Sequence, residues 1–169
     1  EGPESLLAEA VSDAGDVNGD GLGDFIVGDS QAHAQGITSS GRAYVVFGSE
    51  EPFPAVLPAA ALDGANGFAL HGGFEAYAGT SVGSSDMNGD GLQDLIIGTP
   101  GEVPGENGNG RLYLILGSVT PFSASMMLFD SIGSSGFAVN GRDSVDAGNA
   151  AAGVGDVNGD GIDDLVNGG

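Results

Sequence analysis

The chain has 169 residues, of which 24 are Asp or Glu and only three are basic, so its formal net charge at pH 7 is −21. Such an acidic surface repels nucleic acid and anionic membranes, and no apolar run approaches the ~20 residues of a membrane span, so neither nucleic acid binding nor membrane insertion is expected. The chain has 33 Gly, no Cys and no sustained helical periodicity of apolar residues, a combination that favours an all-β fold without disulfide bonds.

The first predicted element is a strand of small, weakly apolar residues over 8–14, typical of a strand crowded near a central axis. It leads into the nine-residue loop Asp16-Val-Asn-Gly-Asp-Gly-Leu-Gly-Asp24. Positions 1, 3, 5 and 9 of this loop carry side-chain oxygens, and position 7 can offer its backbone carbonyl. An all-oxygen set suits a hard cation with six or more ligands, and Ca²⁺ fits it better than Mg²⁺, Zn²⁺ or copper.

This loop contains more than a turn requires. Asn-Gly or Asp-Gly alone can mark a hairpin turn, whereas here four oxygen-bearing side chains and two glycines stand at fixed positions. Three carboxylates within nine residues also repel one another unless a cation lies between them. We therefore expect a calcium site, with Gly19 and Gly21 at positive φ so that the backbone can turn back on itself.

Three more strands follow the loop. Asp24 opens a short apolar run that ends at Gly28, and two further strands are predicted over 41–48 and 66–72. An EF-hand would carry a bidentate Glu at position 12 and continue into a helix, but position 12 is Val27. The calcium loop therefore joins the first and second strands of a four-stranded unit, and it is not an EF-hand.

The four-stranded unit recurs at a spacing of about 70 residues, which indicates a repeat architecture. Its second copy predicts strands over 79–85, 110–117 and 135–141, and its third copy covers only the first two strands. The repeats span approximately 7–77, 78–146 and 147–169, in one domain of 1–169. Three Ca²⁺ sites are predicted, with these ligands: Asp16, Asn18, Asp20, Leu22, Asp24, Asp86, Asn88, Asp90, Leu92, Asp94, Asp156, Asn158, Asp160, Ile162 and Asp164.

Four-stranded sheets in tandem are typical of β-propeller blades. The loop, followed by an apolar run and Gly, resembles the FG-GAP repeat of integrin α-subunit propellers and of secreted bacterial proteins, and the string 62–68 is closest to the bacterial members. The Phe-Gly element of that repeat falls, without its aromatic residue, on Leu7-Ala8, Ala78-Gly79 and Ala147-Gly148. The Gly-Ala-Pro element falls on Gly28-Asp-Ser, Gly98-Thr-Pro100 and Gly168-Gly169.

The resemblance covers nearly the whole chain and implies an open, partial propeller. A closed propeller needs about four or more blades, whereas this chain carries roughly 2.4. Unpaired sheet edges can pair with other chains, so we expect either self-association, which the sequence slightly favours, or neighbouring blades of a longer chain. Because the chain lacks an initial Met and a visible signal peptide, it is also expected to be a processed or excised piece.

These features predict an extracellular, calcium-binding repeat protein with a structural or adhesive role, in which each Ca²⁺ rigidifies its blade and copies assemble into a multimer or filament. The alternative is a module that binds a protein or glycan and derives from a larger closed propeller. The chain has no Gly-x-Ser-x-Gly motif and its closest carboxylate pairs lie in the metal loops, so we do not expect an enzyme.

The remaining candidates are read structurally. His33 and His71 have no second ligand at a suitable spacing, so surface or capping roles are expected. Arg42 and Arg111 are repeat equivalents and are expected to pair with carboxylates. The polar connection 98–110 is expected to be a solvated connector, with a functional loop as the alternative. A core position is predicted for Tyr44, Tyr113, Phe68 and Phe137.

Overall fold

The computed structural model describes residues 8–33, 36–102, 109–133, 135–142 and 147–168. Within these residues the fold is all-β, with eleven strands, two short 3-10 turns and no α-helix. No helix in the described part of the chain is long and apolar enough to cross a membrane. The predicted all-β class is therefore confirmed.

Two antiparallel four-stranded units and a hairpin follow one another along the chain. The first blade contains β1 (Ala10–Gly15), β2 (Asp24–Asp29), β3 (Arg42–Val46) and β4 (Gly67–His71). The second contains β5 (Val82–Ser85), β6 (Asp94–Thr99), β7 (Arg111–Ile115) and, after the short β8 (Ser125–Met127), β9 (Gly136–Asn140). The third blade consists of the hairpin β10 (Ala150–Gly155) and β11 (Asp164–Gly168), and the 3-10 turns span Ala59–Ala61 and Leu128–Ser131. This is the predicted strand order of a partial, open propeller.

The blades stack face to face, with a separate apolar cluster at each of the two blade boundaries. Alternate residues of a strand point to opposite faces of its sheet, so Ile26, Val45 and Phe68 of the first blade pack in one buried cluster with Ile97 and Tyr113 of the second. The opposite face of the second blade, formed by Ile96, Leu112 and Leu114, packs against Ala151 and Leu165 of the third. Each blade therefore buries its apolar residues mainly against its neighbours.

Two pairs of glycines bring adjacent blades into backbone contact. A Cβ on Gly28 would lie 2.0 Å from the carbonyl oxygen of Gly79, and a Cβ on Gly98 would lie 2.0 Å from that of Gly148. Gly79 and Gly148 also have φ of +87° and +92°. These are the glycines on which the Phe-Gly and Gly-Ala-Pro elements fall, so the two elements meet across each blade boundary.

The sequence did not predict β8. The connection between β7 and β9 leaves its own blade and places β8 parallel to β4, with Ala69 opposite Ser125 and Leu70 opposite Met126. We call residues 118–133 the second strap. Its repeat equivalent, residues 49–64, is the first strap. The second strap adds a fifth strand to the outer edge of the first blade.

Three of the four predicted core aromatic residues are confirmed. Tyr44, Tyr113 and Phe68 are buried, but the prediction for Phe137 was wrong because 46% of this residue is exposed. Phe68 is covered by the second strap, and in the described residues no strap covers Phe137. Arg111 pairs with Glu102 at 2.9 Å as predicted.

The other basic candidates have structural contacts. Arg42 donates to the His33 carbonyl at 2.9 Å, and exposed His33 accepts from the Ser39 amide at 3.1 Å. His71 is buried at the end of β4, with its Nε2 2.8 Å from the Ser125 hydroxyl. Residues 103–108 of the predicted connector lie outside the described residues, as do Leu7 and Gly169.

Candidate metal centres

The three predicted calcium loops connect β1 to β2, β5 to β6 and β10 to β11. They occupy the same place in each blade, because each joins the first strand to the antiparallel second strand. The prediction that they lie in β-hairpins is therefore confirmed.

In each loop, side-chain oxygens accept hydrogen bonds from backbone amides of the same loop. In the first loop, the Asp16 carboxylate accepts the amides of Asp20 at 3.0 Å and Gly21 at 2.9 Å. Asn18 Oδ1 also accepts the Asp20 amide, and Asp20 Oδ1 accepts the amide of Leu22 at 2.8 Å. Such local bonds from Asp and Asn to the backbone hold a tight turn. They direct the oxygens of positions 1, 3 and 5 towards the interior of the loop.

The second and third loops repeat this pattern. The position-1 carboxylates of Asp86 and Asp156 accept the amide of the glycine five residues later at 2.9 and 2.8 Å. The glycines at positions 4 and 6 have φ between +73° and +90° in all three loops, as predicted. The three loops therefore share one backbone shape and carry the same candidate metal-binding oxygens.

Position 9 anchors the loop to the blade. The buried carboxylate of Asp24 accepts the Val17 amide at 2.9 Å and the Gly48 amide, just beyond β3, at 2.7 Å. Asp94 makes the equivalent bonds to the amides of Met87 and Gly117. In the third blade, Asp164 accepts the Val157 amide at 2.9 Å.

Burial and neighbouring carboxylates disfavour the ionised form of the position-9 groups in the first two loops. Burial raises the pKa of the Asp24 carboxyl, and the carboxylates of Asp20 and Asp16 raise it further, against the lowering effect of the Gly48 and Val17 amides. The pKa of Asp94 is raised for the same reasons. In the exposed third loop, hydrogen bonds led by that of the Gly161 amide lower the pKa of Asp156.

The oxygen donors of the loops are of the kind that Ca²⁺ prefers, although their carboxylates are not arranged as a ready-made metal-binding group. In the described part of the chain, no three His, Asp or Glu side chains form a group that could hold a metal. The Asn18 amide nitrogen donates to Asp20 Oδ2 at 2.8 Å, which joins two predicted ligands directly. A carboxylate has about four lone-pair sites, so each one retains acceptor capacity after its amide bonds. The fifteen ligands stay a prediction.

The first and second loops each contact the loop of the next blade, which the sequence did not predict. The Asp16 carbonyl accepts the amide of Gln93 at 3.2 Å, and the Asp86 carbonyl accepts that of Asp163 at 3.2 Å. Gln93 and Asp163 both stand at position 8 of their loops, where the three copies carry different residues. Both boundaries share this backbone bond, and at the second one the Asp163 carboxylate also accepts from the Asp86 amide at 3.2 Å and the Ser85 hydroxyl at 2.8 Å.

Comparison with known proteins gives one family match. Residues 78–115, which include the second loop, match the FG-GAP repeat. The chain is 32% identical over 130 residues to integrin alpha pat-2 of Caenorhabditis elegans, covering 73% of this chain and 10% of that protein. It is 32% identical over 120 residues to phosphatidylinositol-glycan-specific phospholipase D of Rattus norvegicus, covering 69% of this chain and 14% of that protein.

A third relative, integrin alpha-PS2 of Drosophila melanogaster, is 37% identical over 95 residues, which cover 53% of this chain and 6% of that protein. The chain therefore spans 6–14% of the length of these three relatives. The second blade of this chain contains an FG-GAP repeat, as the resemblance implied. All three relatives are animal proteins, so the closer likeness to bacterial members stays a prediction.

Proposed function

We propose that this chain is an extracellular, calcium-binding structural repeat of the integrin type, whose three loops hold Ca²⁺ and whose open sheet edges support adhesion or assembly. The observation that carries the proposal is the threefold recurrence of one loop shape with the same oxygen donors. Calcium is plentiful outside cells, where loops of moderate affinity would be filled.

The proposed role of the loops is to stabilise the fold rather than to switch it. Bound Ca²⁺ would supply the positive charge that offsets the clustered carboxylates and so adds to the folding free energy. Asp24 and Asp94 hold each loop to the end of the third strand of its blade. The Asp16 carbonyl extends this order to the next blade through the Gln93 amide. An ordered loop therefore stabilises its own hairpin and its neighbour.

Calcium titration of the chelator-treated chain tests this proposal. We expect calorimetry to detect three bound ions and melting to shift upward with Ca²⁺. Asp90→Asn should remove one site, because it replaces a carboxylate at position 5 of the second loop. Asp63→Asn is the matched control, since this exposed acid outside the loops carries the same charge and its contacts can be retained. Absence of heat, with melting that is indifferent to chelator, would contradict the proposal.

A second candidate is a ligand-binding module within a longer propeller. It is favoured by the integrin match, which covers 73% of this chain but only 10% of its relative. Negative-stain microscopy and sizing would separate the two candidates: rings or fibres that dissolve in chelator support assembly. A monomer that binds a protein or glycan array supports the module.

We further propose that the chain is not itself catalytic. The phospholipase D relative is named for an activity, but this chain matches 14% of it. The acids clustered in the loops have a structural role in the first of them, where Asp16 and Asp20 accept backbone amides. Hydrolase activity of the isolated chain that survives Asp90→Asn would overturn this part of the proposal.

A further inference from the structure

The outer edges of the two complete blades are equivalent in sequence but differ in cover. In the first blade, Phe68 and Leu70 of β4 are both 0% exposed. Their repeat equivalents on β9, Phe137 and Val139, are 46% and 40% exposed. Among the described residues, β4 is paired on its outer side with β8. The only strand paired with β9 is β7, and beyond it β9 has just the isolated bridge of Gly136 to Ile132.

The second strap shows what covers such an edge. Phe122 stacks on Phe68 with ring centroids 4.5 Å apart and planes inclined by 8°, and it also packs on Phe47 at 5.9 Å. Four and six residues further on, Met126 and Leu128 join the same apolar cluster. The backbone contributes as well, since the Ala69 amide donates to the Ala124 carbonyl at 3.0 Å before the parallel pairs begin.

The β9 edge has the same framework as β4. The Gly133 amide donates to the Gly136 carbonyl at 2.8 Å, as the Gly64 amide does to the Gly67 carbonyl at 2.9 Å. In each case the acceptor glycine precedes the phenylalanine of the edge strand. The turn that leads into β9 therefore has the same shape as the turn before β4, although no strap is paired with β9.

Straps of this chemistry are present twice in the chain. Pro121-Phe122 is followed by Met126, and Pro52-Phe53 is followed at the same distance by Leu57. In the first strap, Phe53 is 51% exposed and the nearby Val56 is 76% exposed. The motif shared by both straps is therefore Pro-Phe-x-x-x followed by Met or Leu.

We propose that β9 is a docking edge for an extended Pro-Phe-x-x-x-Met/Leu strap supplied by another repeat of this kind, which adds a parallel strand and stacks its Phe on Phe137. Addition of a strand to an exposed edge gives affinity through main-chain bonds and specificity through side-chain pockets. This inference rests on the proposed association through open edges but not on calcium binding.

Disulfide trapping tests the site and its register, because the chain has no Cys of its own. The pair Ala69 and Ser125 on β4 and β8 predicts that Ala138 of β9 faces the position of Ser125 in a docked strap. A chain with Ala138→Cys should form a disulfide with a synthetic peptide of residues 119–131 that carries Ser125→Cys. A chain with both Ala69→Cys and Ser125→Cys is the positive control.

Two altered peptides make the test specific. Phe122→Ala should slow trapping at least tenfold, since the stacking aromatic is lost. Moving the Cys to the position of Met126 should abolish trapping, because successive side chains of a strand point to opposite faces. Binding of the labelled, Cys-free peptide to the unaltered chain, followed by fluorescence anisotropy, provides a readout that does not depend on the variant.

The outcomes separate this inference from the calcium proposal. Three outcomes would overturn the docking edge. They are equal trapping of all three Cys peptides, no trapping although the positive control forms its disulfide, and crosslinking of two Ala138→Cys chains without peptide. If only the Ser125→Cys peptide is trapped and the chain binds no calcium, the calcium proposal alone is contradicted. If the chain binds calcium but traps no peptide, the docking-edge proposal alone is contradicted.

Discussion

At the scale of single residues, the fold is constrained by contacts between glycine backbones at the blade boundaries. Gly28 faces Gly79, and Gly98 faces Gly148, each at a distance that leaves no room for a side chain. Because the obstructing atoms are backbone, no rotamer change can make space. These positions therefore control how closely two blades can approach.

Gly98→Ala should lower the free energy of unfolding by about 3 kcal/mol, since its new methyl group would collide with the Gly148 carbonyl. Gly23→Ala is the matched control. A Cβ there meets nothing within 4 Å, and its φ is not positive, so we expect a change within about 0.5 kcal/mol. Urea unfolding of both variants, in calcium, measures the difference. Equal stability of the two would show that the blades shift apart easily.

Asp29 gives a prediction about pH. Burial raises the pKa of its carboxyl, Glu9 raises it further, and the Gln31 and Ala32 amides and Arg42 oppose this. A raised folded-state pKa means that folding disfavours the ionised form. The free energy of unfolding is therefore unaffected by Asp29 below its unfolded-state pKa of about 4, where the carboxyl is protonated in both states. It falls as the pH rises through the folded-state pKa, because the buried carboxyl must then ionise.

Asp29→Asn should consequently become more stable relative to the unaltered chain as the pH rises from about 4 to 6. Thr99, the buried repeat equivalent of Asp29, shows that a neutral residue is accommodated at this position. Glu50→Gln, which neutralises an exposed acid, should give no such trend. Urea midpoints across this pH range, in chelator, are the measurement. A constant difference between Asp29→Asn and the unaltered chain would contradict the assignment.

At the scale of elements, the second strap links the two complete blades at the outer edge of the first. Phe122 of the strap stacks on Phe68 of the first blade. Strand β8 of the strap pairs with the outer edge of that blade, although in the sequence it lies between strands of the second blade. The first strap has the same Pro-Phe pair, but its ring lies 6.4 Å from Phe25 and is half exposed. Equivalent sequences thus have different surroundings.

Phe122→Ala should lower the free energy of unfolding by about 2 to 3 kcal/mol, because it removes a partly buried ring that is stacked on the core. Phe53→Ala removes the same side chain from an exposed site and should cost less than about 1 kcal/mol. Thermal melts of the two variants under one set of conditions compare them directly. A larger effect at Phe53 would show that the two straps have been assigned the wrong roles.

The sequence was sufficient for the elements whose signal is local. The apolar runs at 41–48 and 110–117 predicted β3 and β7, and the loop glycines predicted the positive φ angles. Strand β8 has only three residues, Ser-Met-Met, without alternation, and it exists because a distant edge pairs with it. The contacts between loops involve backbone amides, which any residue except proline provides. Tertiary context, not local pattern, decides both features.

At the scale of the whole molecule, repulsion among acids opposes the compact fold. The formal charge is −21, and three Ca²⁺ ions would reduce it to about −15. Part of this repulsion acts between the loops, which lie in contact at one end of adjacent blades. Charge and calcium are therefore linked in the stability of the chain.

Without calcium, the melting temperature should rise as NaCl increases from about 0.02 to 1 M, because added salt screens repulsion between exposed acids. The rise should be smaller in saturating calcium, since the most crowded carboxylates are then neutralised. Circular dichroism melts at both conditions provide the comparison, with sucrose at equal osmolality as a control for non-ionic stabilisation. A salt response that is identical with and without calcium would contradict the prediction.

The crossing of the second strap to the first blade also sets an order of events during synthesis. The Ser125 hydroxyl that meets His71 lies 54 residues later in the chain. A ribosome must therefore release most of the second blade before the first can close its outer edge, so the first blade is not finished when its own fourth strand emerges. Folding of one blade waits for translation of the next.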